Sequence, residues 1–557
     1  MFRSTSSHVR KFRRDESGAL IIFGLMLFVL MIMLSGLAVD LMRVENTRVK
    51  LENTLDRATL AAAAMTQKLD RKSVVEDYML KAGLADQLGT VVVTESMNAT
   101  SVRSTGRASV QPFFTQMMGI TSLAAGGVSQ AEQAITNLEI VLVLDVSGSM
   151  TGTKIANLKV ASDQFVDTLM DSDPNHRVSI SIVPYNAQVN IGPDLVSKFN
   201  ITHQNNVDAN RDGLTDVNCV EIPAASFGSL ALSQTDPMPM MAYADIASKT
   251  SKIDGYITPV DPTFAKPNYS STYCKPSTVN VVRLPNNDRN VLKSQIDALQ
   301  AGGNTSITLG MKWGATMLDP SMKTAYTDFI RQGKIPANLP ARPFAYDDAK
   351  AMKIVVLMTD GEHVSHNRVN DAYKTGPSPI FRSLRDGLYS VRYATNRPAI
   401  AGTKEYWVPH LAVDAARAAN GWRATPWGTE DDGVINMDWR DVWANVKMPY
   451  VAWQFFARAT GTDSVSRTAV YNSTMSAMQS TWAPVNQMDA SLDQTCDLVK
   501  GQGVVVYGVA VDAPTHGQDV IKSCATSTLH YFEASPEGIV SAFATIASNI
   551  TMLKLTQ

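Results

Sequence analysis

The sequence has no surplus of either charge. Its 50 lysines and arginines are offset by 52 aspartates and glutamates, so the formal net charge at pH 7 is −2. Proteins that bind nucleic acid neutralise phosphates with basic side chains, and this chain has no basic excess for that purpose. We therefore expect no nucleic acid among its partners. With 557 residues the chain exceeds what one hydrophobic core usually serves, which predicts several domains or one domain with large insertions.

Motifs of common enzyme classes are also missing. The chain contains no phosphate-binding G-x-x-x-x-G-K-[ST] run and no zinc-protease motif. Ser149 is not a nucleophile elbow, because Ser147 stands where the first glycine of that motif is required. A phosphate-transferring aspartate of the D-x-D type would likewise need a carboxylate in place of Ser147. These absences predict that the protein is not an enzyme.

Cysteine is scarce, with four residues in the whole chain: Cys219, Cys274, Cys496 and Cys524. An even number is compatible with two disulfide bonds if the chain is exported to an oxidising compartment. Four cysteines allow three pairings, which the residues alone do not separate. Cys219 and Cys274 fall within one polar stretch, 192–288, and this makes them a plausible pair.

The sequence does have one long apolar run near its N-terminus. Residues 19–39 carry no charge, and five basic side chains precede them in the tail 1–18. A helix of this length spans about 30 Å, the thickness of the hydrocarbon core of a bilayer. No small-x-small cleavage pattern closes the run, so we expect a retained single-pass anchor with its N-terminus in the cytoplasm and everything after Asp40 outside. A buried helical hairpin is the alternative.

A helical repeat continues beyond this run, over residues 40–70. Mostly apolar residues recur at alternating spacings of four and three, which places them on one stripe of a helix. The stripe consists of Val44, Arg48, Leu51, Leu55, Ala58, Ala62, Met65 and Leu69. A second copy of the chain, another membrane protein or the following segment of the same chain could each cover it. Residues 71–136 show short β-like runs and predict a small, strand-rich α+β stalk.

The main domain is expected to begin at residue 137. The run Ile140–Leu144 is apolar and rich in β-branched residues, which indicates a strand buried on both faces of a sheet. An amphipathic helical pattern follows, and then an alternating strand at 178–182. This order predicts an α/β fold with a doubly wound, mostly parallel sheet over residues 137–557.

Oxygen-bearing side chains stand at the ends of the predicted core strands. Asp145, Ser147 and Ser149 follow the first strand, and Asp360 follows a second buried run at 354–358. Ligands of α/β sheets collect at the carboxyl edge, where we expect these groups to converge. Oxygen is the donor atom that hard divalent cations such as Mg²⁺ prefer. Alternatively, the hydroxyls cap the following helix and the carboxylates are solvated strand ends.

The D-x-S-x-S pattern from Asp145, the Gly-rich loop that carries Thr305 and the T-D-G at Asp360 together resemble the metal-ion-dependent adhesion site of von Willebrand factor type A domains. The resemblance implies a Rossmann-like domain in which Ser147, Ser149 and Thr305 are hydroxyl ligands of Mg²⁺, with Mn²⁺ or Ca²⁺ as further candidates. Asp145 and Asp360 would supply negative charge directly or through water. Two carboxylates leave the ion under-neutralised and one coordination position open, which an aspartate or glutamate of a protein partner would fill.

A second resemblance covers the anchor and the segment after it. Val39-Asp40, Leu51-Glu52-Asn53 and the run Asp56–Ala64 are similar to the TadE/TadG-like segment of Flp (tight adherence) pilus-assembly proteins. The Gly-rich loop and the C-terminal part of the sheet domain also resemble TadG-like proteins. Type IV pilin-like precursors place a glutamate five residues after the cleaved glycine, whereas Phe23 stands five residues after Gly18. We therefore expect the anchor to stay uncut and the protein not to be a pilin subunit.

Two insertions are expected in the sheet domain, at about 192–288 and 364–483. The second holds seven of the eight tryptophans, which indicates either the core of a subdomain or a recognition surface. It begins just after Asp360, so we expect it to border the metal site. The resemblance and the extracytoplasmic location favour a bond between Cys496 and Cys524.

These features predict a membrane-anchored, extracytoplasmic, metal-dependent protein-binding component of a bacterial Flp/Tad-type pilus assembly or anchoring system, located in the inner membrane. The expected partners are a protein that offers an aspartate or glutamate to the metal, other pilus-assembly components, and the membrane through the N-terminal helix. Self-association through residues 44–69 is a further candidate. The competing hypothesis is a surface adhesin that binds a host or matrix ligand through the same ion.

Overall fold

The computed structural model describes residues 17–64, 67, 69–95, 99–134, 137–173, 176–207, 215–246, 266–268, 272–412, 420–429 and 433–552. The chain divides into two compact units, one within residues 1–135 and the other within 136–552. Most of the predicted basic tail and Met65 of the predicted stripe lie outside the described residues.

The N-terminal unit contains two helices and a three-stranded antiparallel sheet in the order β1-β2-β3. Its elements are α1 (Ser17–Ala63), α2 (Arg71–Lys81), β1 (Leu88–Glu95), β2 (Ala99–Val110) and β3 (Leu123–Ala134).

The first helix is shorter than the sequence predicts. Helix α1 ends at Ala63, so the predicted helical extension to residue 70 is wrong, and Leu69 is exposed instead of lying on the buried stripe. The Arg71 guanidinium donates to the carbonyl of Ala62, near the end of α1. The Asp70 carboxylate accepts the Ser73 N–H and thereby caps a new helix, α2.

The predicted stripe on α1 packs against the following segment of the same chain. Leu51, Leu55, Ala58 and Ala62 are fully buried. They share one hydrophobic core with Val74, Val75, Met79, Leu84, Val102, Ala108 and Ala125 from α2 and the sheet. These four side chains therefore have no accessible area left for self-association.

The N-terminal part of α1 has the properties of a membrane span. Residues 20–35 are all exposed within the unit, so no described part of this unit buries them as a helical hairpin would. Among the described residues, the segment Leu20–Ala63 is a helix long and apolar enough to cross a membrane, judged by length and composition.

The second unit is built on strands and helices that alternate along the chain. Its strands are β4 (Asn137–Asp145), β5 (Val178–Tyr185), β6 (Ile201–Thr202), β7 (Met238–Pro239), β8 (Arg283–Asn286), β9 (Ala351–Thr359), β10 (Asn367–Val369), β11 (Pro377–Ser383), β12 (Tyr389–Arg392), β13 (Tyr406–Trp407), β14 (Trp422–Arg423), β15 (Val434–Asp438), β16 (Gln479–Thr481), β17 (Val505–Val511) and β18 (Tyr531–Ala534). Its α-helices are α3 (Thr153–Asp171), α4 (Gly192–Val196), α5 (Arg289–Asp297), α6 (Ile307–Leu318), α7 (Lys323–Arg331), α8 (Trp439–Asn445), α9 (Met448–Tyr450), α10 (Arg458–Thr460), α11 (Ser464–Met478), α12 (Val485–Gly501), α13 (Thr515–Cys524) and α14 (Ile539–Met552), and a π-helix covers Val451–Ala457.

The central sheet has six strands in the order β18-β17-β9-β4-β5-β8. Neighbours from β18 to β5 are parallel, and the edge strand β8 is antiparallel to β5. The α/β organisation predicted from sequence, preceded by an apolar helix, is confirmed. The parallel arrangement brings the carboxyl ends of β4 and β9, and with them Asp145 and Asp360, to one edge.

Helices pack on the sheet because successive strand residues point to opposite faces. Val141 and Val143 on β4 share a core with Trp313 on α6 and Leu492 on α12. Helices α3 and α14 pack against each other, with the ring of Phe165 edge-on to that of Phe543.

The second predicted insertion carries a sheet of its own, in the order β14-β13-β12-β11-β15. Trp407, Trp422, Trp439 and Trp443 are buried in a core separate from that of the central sheet. This burial supports the interpretation of the tryptophans as a subdomain core.

All four cysteines form disulfide bonds. Cys219 pairs with Cys274 and Cys496 with Cys524. The first bond links parts of the first insertion, and the second joins α12 to the end of α13, so both predicted pairs are present.

Candidate metal centre

Asp145 is held rigidly at the end of β4. Its side chain is fully buried, Oδ1 accepts the backbone N–H of Ser147 at 2.7 Å, and Oδ2 accepts the hydroxyl of Thr359 at 2.7 Å. Thr359 ends the neighbouring strand β9, which pairs in parallel with β4. Thr359 was not predicted as part of the site, although its position directly before Asp360 was an available signal.

Ser147, Ser149 and Asp360 form a tight cluster of oxygen atoms. The two serine hydroxyl oxygens are 2.9 Å apart, and the Ser149 hydroxyl donates to Asp360 Oδ1 at 2.7 Å. Ser147 Oγ is 3.5 Å from the same carboxylate oxygen. One oxygen from each residue therefore occupies a corner of a small triangle.

Thr305 approaches this cluster through its Gly-rich loop. A Cβ placed on Gly361 would lie 3.3 Å from Thr305 Oγ1 and 3.8 Å from Ser149 Oγ, so both hydroxyls adjoin one point. The loop is fixed by Gly303, whose φ of +95° favours glycine and whose carbonyl accepts the Gly148 N–H at 2.8 Å. The fold thus brings together all five residues predicted for the site.

The alternative in which the serine hydroxyls cap the following helix is wrong. Helix α3 begins after Gly152, and no side chain caps it. Ser147 precedes a short 3₁₀ turn without capping it through its hydroxyl. Both hydroxyls instead face Asp360.

The electrostatics of the site favour a cation. Burial and the nearby charge of Asp360 together raise the pKa of Asp145 to about 6, although hydrogen bonds from Ser147 and Thr359 oppose the shift. A positive charge between the two carboxylates would offset this unfavourable pairing.

Lys154 supplies one positive charge and was not predicted. Its ammonium group lies 2.9 Å from Asp360 Oδ2 and 3.6 Å from Asp512. The available signal was a lysine in the first turn of the helix that follows D-x-S-x-S. Its ion pair uses the Asp360 oxygen that the serines do not contact.

The donor set fits a hard cation. Neighbouring oxygens around octahedral Mg²⁺ at about 2.1 Å are separated by about 3 Å, close to the 2.7, 2.9 and 3.5 Å within the triangle. No group of three or more His, Cys, Asp and Glu side chains suited to a metal occurs in the part of the chain that the structure describes. Ligation here would therefore depend on hydroxyls together with carboxylates.

His363 links the site to two helices. Its Nε2 accepts the N–H of Thr308 on α6 at 3.0 Å, so its Nδ1 carries the proton and donates to Asp489 on α12 at 2.6 Å. The backbone N–H of Val364 donates to the Thr305 carbonyl. This contact and the His363 bonds hold the Thr305 loop against the segment that follows Asp360.

A polar cavity of about 190 Å³ adjoins these loops. Val146, Asn186, Lys275 and Gly302 line part of its wall. Lys275 follows the disulfide-bonded Cys274, so the first insertion borders this cavity. The Lys275 ammonium group and the side-chain amides of the wall make the cavity suited to polar groups that accept hydrogen bonds.

Comparison with solved structures finds low overall similarity. The vWF domain of the type V pili tip protein Mfa5 from Porphyromonas gingivalis is 12% identical, with 75% of this chain and 96% of that chain covered and a TM-score of 0.30. An adhesive tip pilin from Group B Streptococcus agalactiae is 12% identical, with 74% and 100% covered and a TM-score of 0.31. The pilus adhesin SpaC from Lactobacillus rhamnosus GG is 10% identical, with 84% and 34% covered and a TM-score of 0.28.

The N-terminal segment gives a match to a family. No curated protein matches the chain. Residues 18–65, which include the apolar run and most of helix α1, match the family described as putative Flp pilus-assembly TadE/G-like. The match and the long apolar helix fit a pilus-related, single-pass membrane protein. The resemblance predicted for this segment is confirmed: residues 18–65 are TadE/G-like.

Proposed function

We propose that the second unit is a von Willebrand type A domain that binds a divalent cation, Mg²⁺ foremost, and through it an acidic side chain of a protein partner. The observation that carries the proposal is the oxygen triangle formed by Ser147, Ser149 and Asp360. Thr305 and Asp145 complete the donor set. The bound ion would supply a Lewis-acidic docking point for a carboxylate.

The chain's own residues set the selectivity of this docking. Asp145 is already satisfied by two hydrogen bonds, so it orients the Ser147 loop and contributes charge. The three hydroxyls are neutral, and the two carboxylates carry two negative charges, which balance a divalent ion. The Lys154 ammonium adds one positive charge, so the loaded site keeps an unsatisfied positive charge. An incoming aspartate or glutamate balances that charge, whereas a neutral side chain does not.

We further propose that the protein is a non-enzymatic component of a Flp/Tad-type pilus assembly or anchoring system, with its N-terminus in the cytoplasm and the second unit outside. The TadE/G-like match of residues 18–65 supports the pilus role. Two disulfide bonds support an oxidising compartment for the second unit.

The test is recovery of pilus-assembly proteins from membranes with the tagged full chain, in Mg²⁺ and in chelator. Recovery should require Mg²⁺ and be lost in the Ser147→Ala, Ser149→Ala double variant. Ser473→Ala with Ser541→Ala is the matched control, since both hydroxyls are exposed and bond only to backbone carbonyls of their own helix region. Equal recovery with and without metal would contradict the proposal, and Mg²⁺-dependent recovery of only host or matrix proteins would favour the adhesin.

A further inference from the structure

The loop between β2 and β3 exposes an unusual number of large apolar side chains. We call residues 111–122 the hairpin tip. Phe113, Met117 and Met118 are 67%, 81% and 59% exposed, and Phe114 and Ile120 are partly exposed. Such a concentration in twelve residues marks an interaction surface.

The hairpin tip is fastened to helix α1 by one carboxylate. Asp40 is almost fully buried, and its oxygens accept the backbone N–H groups of Phe113 at 2.8 Å, Phe114 at 2.9 Å and Thr115 at 2.7 Å. The Thr115 hydroxyl donates to the same carboxylate at 3.1 Å. Charge-assisted hydrogen bonds of this kind fix the tip relative to the helix.

A second contact lies within the apolar run itself. The Phe114 ring occupies the space that a Cβ on Gly36 would need, so only glycine permits this close approach. Among residues 20–42, Gly36 and Asp40 are the ones that are buried, and both lie beneath the tip. The tip therefore touches α1 inside the last turn of the predicted span 19–39.

The dimensions of the unit agree with this placement. The hydroxyls of Thr59 and Ser104 are 2.6 Å apart, which pairs the far part of α1 with β2. From Thr59 back to Asp40 the helix spans about 29 Å. The chain from Ser104 along β2 to Phe113 spans about 30 Å, which is nearly the same length. The hairpin thus runs back along α1 and ends where the apolar run ends.

We propose that the hairpin tip is a second membrane-contacting element, which inserts its phenylalanine and methionine side chains into the interfacial layer of the leaflet that Val39 reaches. The tip contacts the apolar helix at Gly36, so the two lie at the same depth relative to the bilayer. A phospholipid bilayer is therefore what covers the exposed side chains of the tip. The Arg43 guanidinium lies 4.0 Å from the centre of the Phe113 ring and donates to the Gln111 carbonyl. That position suits a cation at the level of lipid phosphates.

The experiment uses the full chain in nanodiscs of phosphatidylcholine and phosphatidylglycerol. The native cysteines are all disulfide-bonded, so the thiol in Met117→Cys can carry an environment-sensitive fluorophore. Leu80→Cys is the control, since Leu80 is 66% exposed on α2, whose start bonds to the far end of α1. Lipids with a shallow spin label should quench the Met117 probe at least threefold more than the Leu80 probe, and aqueous iodide should quench it less.

Equal quenching of the two probes by spin-labelled lipid would overturn the proposal. So would protection of the Met117 probe from iodide that appears only when other pilus components are added, because a protein would then be the occupant. Adding Asp40→Ala should move the Met117 probe toward the iodide-accessible state, since it removes the acceptor that holds the tip. None of these outcomes depends on the metal site of the second unit.

Discussion

The hydroxyl oxygen of Ser149 lies 2.7 Å from Oδ1 of Asp360, although 211 positions separate the two residues in the chain. Parallel pairing of β4 with β9 creates this contact, because it delivers both strand ends to one edge of the sheet. The Ser147 hydroxyl joins the same cluster from the loop that carries Ser149, and Thr305 approaches it from the Gly-rich loop. The candidate metal centre is therefore a direct product of the sheet topology.

Replacing Lys154 by methionine should strengthen metal binding. Its ammonium group pairs with Asp360 Oδ2 and repels an incoming cation. We expect the Kd for Mg²⁺ to fall about 3- to 10-fold, measured by calorimetry on the full chain in detergent. Lys159→Met is the control, because the Lys159 ammonium lies on the same helix but bonds to the Asp297 carbonyl. Weaker Mg²⁺ binding by Lys154→Met would contradict this prediction and would show that the lysine helps to hold Asp360 in place for the ion.

Replacing Asp145 by asparagine should stabilise the metal-free protein. The folded pKa of about 6 exceeds the ordinary value of 3.8, so the folded state binds the extra proton between these pH values. Stability from this group is present at low pH and is lost as pH rises from about 4 to 6. At pH 7 without divalent ions, Asp145→Asn should raise the free energy of unfolding by about 2 kcal/mol.

Denaturant titrations at pH 4.5 and 7 would measure this effect. The variant should show a smaller difference between the two pH values than the natural chain. Mg²⁺ should stabilise the natural chain more than the variant, since the variant lacks one of the two carboxylates of the site. A variant that is less stable at pH 7 in chelator would contradict the assignment.

Replacing His363 should lower both the stability of the protein and its affinity for Mg²⁺. His363→Ala leaves the buried N–H of Thr308 without its acceptor and removes one of the two histidine contacts of Asp489, which should cost about 2–4 kcal/mol of stability. Mg²⁺ affinity should fall as well, because the Thr305 loop loses its support. His516→Ala is the matched control, since His516 also contacts Asp489 but is half exposed. Similar losses in both variants would argue against a special role for His363.

The Cys496–Cys524 bond should contribute to the stability of the central sheet. It closes a loop with a sequence separation of 28 and joins α12 to the end of α13. The double replacement by serine should lower the free energy of unfolding by about 2–4 kcal/mol. Denaturant unfolding of the natural chain, with and without reductant, provides the comparison. An unchanged midpoint would show that the bond is energetically neutral.

Much of the site was predictable because its residues sit at recognisable strand ends. Asp145 and Asp360 each terminate a continuous apolar run, and such runs identify buried parallel strands. Thr305 was found only through the family pattern, since its loop has no periodicity of its own. Lys154 was missed because a lysine in the first turn of a helix ordinarily faces solvent.

The N-terminal unit was harder to predict because its contacts are distant in sequence. The spacing of Leu51 and Leu55 revealed a buried stripe but did not identify what covers it. The contact of Asp40 with Thr115 spans 75 positions and uses backbone N–H groups. Such groups occur at almost every residue, so the sequence does not reveal which of them Asp40 binds. The end of α1 at Ala63 was missed because the stripe pattern continues past it, whereas Asp70 and Arg71 start a new helix.

Calorimetric titration of Mg²⁺ into the full chain tests the central claim most directly. We predict one saturable binding event for the natural chain, no binding for the Ser147→Ala, Ser149→Ala double variant, and unchanged binding for Ser473→Ala with Ser541→Ala. Absence of Mg²⁺, Mn²⁺ or Ca²⁺ uptake by the natural chain, or equal uptake by the double variant, would contradict the account.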